Sequence, residues 1–179
     1  MKSFLVLNLL ACLAASSTIE YIKDDGSFED YIQTGVNLGT GQDFDIPTTV
    51  YSLQTAKIYV TQPASSLTVY IRNYAGPGYM PLLGQVTINN PVTGWNLVNI
   101  SGISLPNPPP VRLAVEATNS GKIGMDIGNS WGYFIFYDDN PSVPWMFSYV
   151  NSNGVRLIIN GQFIGVDPSS LGNIKAAFH

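Results

Sequence analysis

The sequence predicts an all-β fold, an antiparallel sandwich or barrel in one domain, and three observations carry that prediction. Charged residues make up 11% of the chain, against about a quarter in an average soluble domain, while Gly, Pro, Asn, Ser, Thr and Tyr are frequent. Five segments alternate apolar and polar residues with period 2, the signature of strands with one buried face. Breakers rich in Gly, Pro and Asn separate them at short spacing. At 179 residues the chain fits a single hydrophobic core.

The first element is not a strand. Met1-Lys2 and the apolar run from Phe4 to Ala15 have the basic and hydrophobic regions of a signal peptide, and the run is too short to span a bilayer. Small residues at Ala14 and Ser16, or at Ala15 and Ser17, offer cleavage sites. The chain then divides into a leader over 1–17, a sandwich domain over 18–166 and a C-terminal linker or tail over 167–179. A lipoprotein reading, with Leu9-Leu10-Ala11-Cys12 as lipobox, is the rival; it leaves a hydrophobic region of only a few residues.

An acidic opening, Asp24-Asp25-Gly26-Ser27-Phe28-Glu29-Asp30-Tyr31, leads into a glycine-rich stretch from Gly35 to Gly41 that no helix tolerates, and strands are expected after it. The clean alternations are Lys57 to Val60, Leu67 to Arg72, Gln85 to Asn89, Val111 to Glu116 and Lys122 to Ile127. Their apolar positions predict a core containing Leu67, Val69, Ile71, Val86, Ile88, Leu113, Val115 and Leu157, with the alternate positions in water. Trp95 to Ile100, Tyr133 to Tyr137 and Pro144 to Val150 add apolar runs. Asn153-Gly154 and Asn160-Gly161 predict two hairpin turns near the end, while Gly76-Pro77-Gly78, Asn90-Pro91, the run from Pro106 to Pro110, and Asn140-Pro141 mark loops.

Composition excludes several functions. A net charge of −4 with eight scattered Lys and Arg does not fit nucleic acid or an anionic membrane surface, and no transmembrane segment is expected. Cys12, in the leader, is the one cysteine, so disulfides and Cys-based zinc sites are out. His179 is the one histidine, which removes Ser-His-Asp, Cys-His and multi-histidine metal chemistry.

The order of elements resembles the jelly-roll modules of large secreted bacterial proteins, often found next to extracellular peptidases and C-terminal sorting or FlgD-like domains. The resemblance is carried by Asp24-Asp25-Gly26, Ala56 to Val60, Leu67 to Ile71, Gly76-Pro77-Gly78 leading to Pro81-Leu82-Leu83-Gly84, the segment Val92 to Ser101 with its Thr93-Gly94-Trp95 turn, Val111 to Glu116, Lys122 to Ile127 and Val155 to Ile159. It implies a β-sandwich of jelly-roll type with Trp95 in the core, and an address outside the cell or on its surface. It implies no activity, because such modules are known by their neighbours. Ser170 to Phe178 is similar to the connectors that follow these modules.

Candidate functional residues follow from residue type and place. A glycosidase needs two carboxyls about 5 to 10 Å apart, and Glu116, Asp126, Asp138 and Asp139 are the candidates; Glu116 and Asp126 take polar positions of alternating strands, where a solvated carboxylate is the default. Asp24, Asp25, Glu29, Asp30, Asp43 and Asp45 offer the oxygen ligands calcium prefers, in no EF-hand spacing; the simpler reading is a solvated segment with an Asp-Gly turn. No other cofactor is expected. Trp131, Tyr133 and Trp145 lie beside turn residues and can present flat faces to sugar rings, or fill core. Asn99-Ile100-Ser101 fits the N-glycosylation pattern. In the tail, Ile174, Ala176, Ala177 and Phe178 are apolar residues that can add to the sheet edge of a neighbour. The expected function is therefore a non-catalytic extracellular structural or adhesive module that self-assembles into a surface layer or filament, with carbohydrate binding through surface aromatics and calcium-dependent protein binding as alternatives. Expected partners are further copies of itself, other cell-surface proteins, or glycans.

Overall fold

The computed structural model describes residues 16–35, 38–46, 51–74, 80–118, 121–127, 133–137, 146–148 and 151–162; over 133–137 and 146–148 it describes the backbone. The fold is an all-β sandwich of jelly-roll type with two antiparallel sheets. Its strands are β1 (Ser16–Tyr21), β2 (Asp30–Gln33), β3 (Leu38–Asp45), β4 (Tyr51–Gln62), β5 (Ser66–Asn73), β6 (Leu82–Asn89), β7 (Gly94–Asn99), β8 (Arg112–Thr118), β9 (Lys122–Ile127), β10 (Tyr133–Tyr137), β11 (Met146–Ser148), β12 (Asn151–Asn153) and β13 (Val155–Gln162). One sheet runs β1-β13-β4-β9-β12, with β2 on β9 and β7 on β4; the other runs β11-β10-β3-β8-β5-β6.

Alternation explains the core. Leu67, Val69 and Ile71 of β5 and Leu113 and Val115 of β8 are fully buried between the sheets, with Leu157 of β13, Ile58, Val60, Val98 and Ile123 of the other sheet opposite. Val86 and Ile88, expected in the core, are only partly buried, because β6 ends its sheet and pairs with β5 alone. Polar ties supplement the apolar contact: the amide of Asn153 on β12 donates to Thr40 Oγ1 and the carbonyl of Gly41 on β3, each at 2.9 Å, linking the two sheets.

The expected wet faces are partly covered, which corrects the reading of Glu116 and Asp126 as solvated. Glu116 is 0% exposed and Asp126 1%. β8 lies between β3 and β5, and on the outer side of this sheet Ala114 of β8 and Tyr70 of β5 pack with Met80 and Tyr74; Arg72 Nε reaches Glu116 Oε2 at 2.6 Å.

Strands also begin earlier than expected, since β1, β2 and β3 precede or include the glycine-rich stretch. Gly39 and Gly41 sit in β3, paired to both β10 and β8. The two Asn-Gly turns are absent. Asn160-Gly161 runs inside β13, which pairs with β1 along this stretch. Gly154 marks where the chain passes from β12, on β9, to β13, on β4. A Cβ at Gly154 would stand 2.5 Å from the Cβ of Tyr59, so glycine is needed there for close approach. Gly94 has a φ of +99°, which matches the turn expected before Trp95.

Candidate functional site

The acidic opening stays largely exposed but is pinned at buried Asp24 and half-buried Phe28, so that it folds as a clasp across the outer face of the β4–β9–β13 sheet. Asp24 anchors it. Its carboxylate accepts from Arg156 Nε at 3.0 Å and Nη2 at 2.6 Å, a bidentate pair of the strong kind. The Arg156 guanidinium also lies 4.3 Å from the ring centre of Trp95. Phe28 stacks on Tyr59 with ring centres 4.1 Å apart, and Trp95 meets both rings edge-on, at 5.6 and 5.3 Å. Trp95 is thus half-buried on the outer face, opposite Tyr59 in the β4–β7 ladder, which corrects its assignment to the core. The reason is register: Val98 points into the sandwich, so Trp95, three residues earlier, points out. Gly124 and Gly154 make room for these rings, since a Cβ on either would press on Tyr59 and Phe28.

Between its two anchors the clasp makes the turn expected at Asp25-Gly26. Gly26 has a φ of +93°, and Asp25 Oδ1 accepts from the N–H of Ser27 at 2.8 Å and its hydroxyl at 2.6 Å. Asp126 Oδ2 accepts from the N–H of Asp25 at 2.8 Å and from Ser152 Oγ at 3.4 Å. Glu29 Oε2 accepts from the N–H of Ile127 at 3.1 Å. Carboxylate oxygens of Asp25, Glu29 and Asp126 thereby lie within 4.8 Å of one another. The hydroxyl and N–H of Ser27 hold the Asp25 carboxyl below its ordinary range; for Glu29 the Ser27 hydroxyl acts first and the Ile127 N–H second, in the same direction.

Of the six acidic residues considered as calcium ligands, only Asp25 and Glu29 come together, and they do so with Asp126. This set is hard oxygen, the kind a calcium ion takes. Asp43 instead pairs with Arg112 and Lys23, Asp45 with Arg112 at 3.3 Å, and Asp30 accepts from the N–H of Tyr31. Glu116 and Asp126 belong to different sheets, on β8 and β9. Asp138, Asp139, Trp131, Trp145, the side chain of Tyr133 and the tail with Ile174, Ala177 and Phe178 lie outside the described residues.

A second feature was not signalled by any motif. An open cleft of about 310 Å³ lies between the start of β4 and the loop from Ile100 to Pro110. Leu53 and Ile103 line it with Tyr51, whose hydroxyl donates to the carbonyl of Pro110 at 2.6 Å. Ser52, Ser101 and Asn107 supply its polar side chains. In the sequence this loop reads as a proline-rich breaker that follows the Asn99-Ile100-Ser101 glycosylation pattern, and neither signals a cleft.

No family model matches the chain and no curated protein does. Among solved structures, the chain is similar to the clostridial cysteine protease Cwp84 after propeptide cleavage, at 12% identity and a TM-score of 0.58 over 81% of this chain and 40% of that one. It is similar also to the structure of the cysteine protease and lectin-like domains of Cwp84, a surface-layer-associated protein of Clostridium difficile, at 13% identity and a TM-score of 0.56, over 81% of this chain and 36% of that one. The chain spans about two-fifths of the length of these neighbours, and the likeness is one of fold: a β-sandwich module.

Proposed function

We propose that this protein is a non-catalytic recognition module that works outside the cell or on its surface and binds carbohydrate. The observation that supports the reading is the likeness of fold over 81% of the chain to the structure of the cysteine protease and lectin-like domains of Cwp84; an all-β chain corresponds to the lectin-like part. The leader-like opening agrees with export. Carbohydrate binding needs a rigid frame with a few oriented polar groups and apolar faces, which a sandwich of this kind provides.

The test is to screen the purified protein on a printed array of neutral and acidic oligosaccharides, with calcium and with chelator. Dose-dependent binding to a defined glycan class is expected. Absence of binding to every glycan in both conditions overturns the reading. The calcium arm belongs in the experiment because Asp25, Glu29 and Asp126 present their oxygens together.

Self-association is the second reading. β7 pairs with β4 and with no other described strand, and Leu97 on it is 64% exposed, so this edge can accept a strand from a neighbouring copy. Light scattering across a concentration series separates this reading from the first: growth of the particle with concentration, in the absence of glycan, is what assembly requires.

A further inference from the structure

We infer that the cleft between the start of β4 and the Ile100–Pro110 loop is the glycan-binding site, and that it takes an uncharged sugar unit. This inference rests on the carbohydrate-binding reading and adds its location and ligand class.

Three properties of the cleft select the ligand. The first is charge. Among the described residues that line it, no side chain is an acid or a base. Tyr51 stays neutral too, since burial, with Tyr21 nearby, pushes its phenol above the usual range. A carboxylated, sulfated or phosphorylated sugar would lose hydration there with no cation in return. The second is the mixture of surfaces. Half-buried Tyr51 and the pyrrolidine rings of Pro106 and Pro109 offer flat apolar area, while the hydroxyls of Ser52 and Ser101 and the amide of Asn107 offer donors and acceptors. A pyranose has the same division, with C–H groups on its faces and hydroxyls around its rim. The third is size: about 310 Å³ is at the small end of ligand sites of about 300–1,000 Å³, room for one or two sugar units.

The walls are set before a ligand arrives. Tyr51 is tethered through its hydroxyl to Pro110. The N–H of Ile103 donates to the carbonyl of Ile100 at 3.1 Å, and Ile103 presses on Gly84 of β6, where an added Cβ would come within 2.9 Å. The prolines from Pro106 to Pro110 each fix a backbone φ. A loop held in this way loses little freedom on binding. Ser101 Oγ donates to Asn99 Oδ1 at 2.7 Å and so meets the ligand as an acceptor, whereas exposed Asn107 keeps its amide for donation and acceptance both.

The experiment uses the purified protein, the glycan array, and methyl glycosides of glucose, galactose, mannose and N-acetylglucosamine as NMR titrants. Ser52→Trp fills the cleft from an exposed strand position; Asn107→Ala removes the amide. Thermal melts matching wild type establish that both variants fold. The expected result is wild-type binding confined to uncharged glycans, shifts of the amides of Ser52, Ser101 and Asn107 with at least one glycoside, loss of array binding in Ser52→Trp, and binding about tenfold weaker in Asn107→Ala. Glycan binding that persists in Ser52→Trp overturns the assignment of the cleft and leaves the carbohydrate reading standing. Binding restricted to acidic glycans overturns the ligand class. No binding by wild type to any glycan overturns both the reading and this inference.

Discussion

The space between the sheets and the outer face of the β4–β9–β13 sheet are built by different physics. The first is a continuous apolar core in which Leu67, Val69, Ile71, Leu113, Val115 and Leu157 are all 0% exposed. The second is closed by a polar hinge and an aromatic stack: Asp24 on Arg156, Phe28 on Tyr59 and Trp95. Burial in the core is non-directional and gains with area. The clasp depends on the placement of a few groups, each of which fails alone.

The largest effect is expected in the core. Truncating Leu113 to Ala should cost about 4 kcal/mol, within the usual 2–5 for such a change, whereas Leu97→Ala on the exposed β7 surface should stay within about 0.5 kcal/mol. Urea denaturation curves measure both. Comparable losses at the two sites would mean that the buried and exposed faces are not as described.

Next comes the anchor of the clasp. Arg156→Ala leaves the Asp24 carboxylate, with a side chain 0% exposed, without its bidentate partner, at a cost of about 3 kcal/mol. The double variant with Asp24→Asn should lose less than the sum of the single changes, because the stranded charge is gone. Additive losses would show that the pair contributes nothing as a pair.

Which parts were legible in the sequence follows the same division. Alternation marked β5, β8 and the core face of β9 because a period of 2 is a local property of the chain. It misjudged the opposite face at Glu116 and Asp126, since what covers a sheet's outer side comes from elsewhere: Arg72 for one, the Asp25 turn for the other. Asn-Gly at 153–154 was misread because the dipeptide is as suited to close packing as to a turn. The Asp25-Gly26 turn could be read; that it docks on Asp126, 101 positions away in the chain, could not. The cleft was hidden for a related reason, as its residues come from the start of β4 and the loop after β7 and share no motif.

A smaller effect is expected where the two regions meet. Gly154→Ala places a Cβ 2.5 Å from that of Tyr59, an atom attached to backbone that cannot swing aside. The ring stack and the β12–β13 crossing must shift, at about 2 kcal/mol. Gly94→Ala meets no atom within 4 Å, so its cost is conformational only, from the φ of +99°. Thermal melts with near-ultraviolet circular dichroism distinguish the two: the first should alter the aromatic signal, the second should leave it alone. An unchanged aromatic spectrum in Gly154→Ala would place the ring stack elsewhere.

The smallest effect is local and depends on pH. Asp25 and Glu29 are held below the ordinary carboxylate range, Asp25 by the hydroxyl and N–H of Ser27, Glu29 by the Ser27 hydroxyl and then the Ile127 N–H. A carboxyl whose folded pKa is depressed stabilises the fold at pH values above its unfolded pKa, near 4 for these residue types, and that contribution disappears as pH falls through the folded value. Both groups are exposed, so the effect belongs to the clasp and not to global stability. The amides of Ser27 and Ile127, which donate to these carboxylates, should therefore lose hydrogen-exchange protection as pH falls below the ordinary carboxylate range, expressed as protection factors to remove the intrinsic pH dependence of exchange. The amides of core strands β5 and β8 should keep theirs over the same range, because they lie in the antiparallel backbone ladder that buries Val69 and Val115. Protection at Ser27 and Ile127 that survives to the acid limit would mean that the clasp is held by Phe28 and Arg156 alone and that the carboxylate turn is incidental to it.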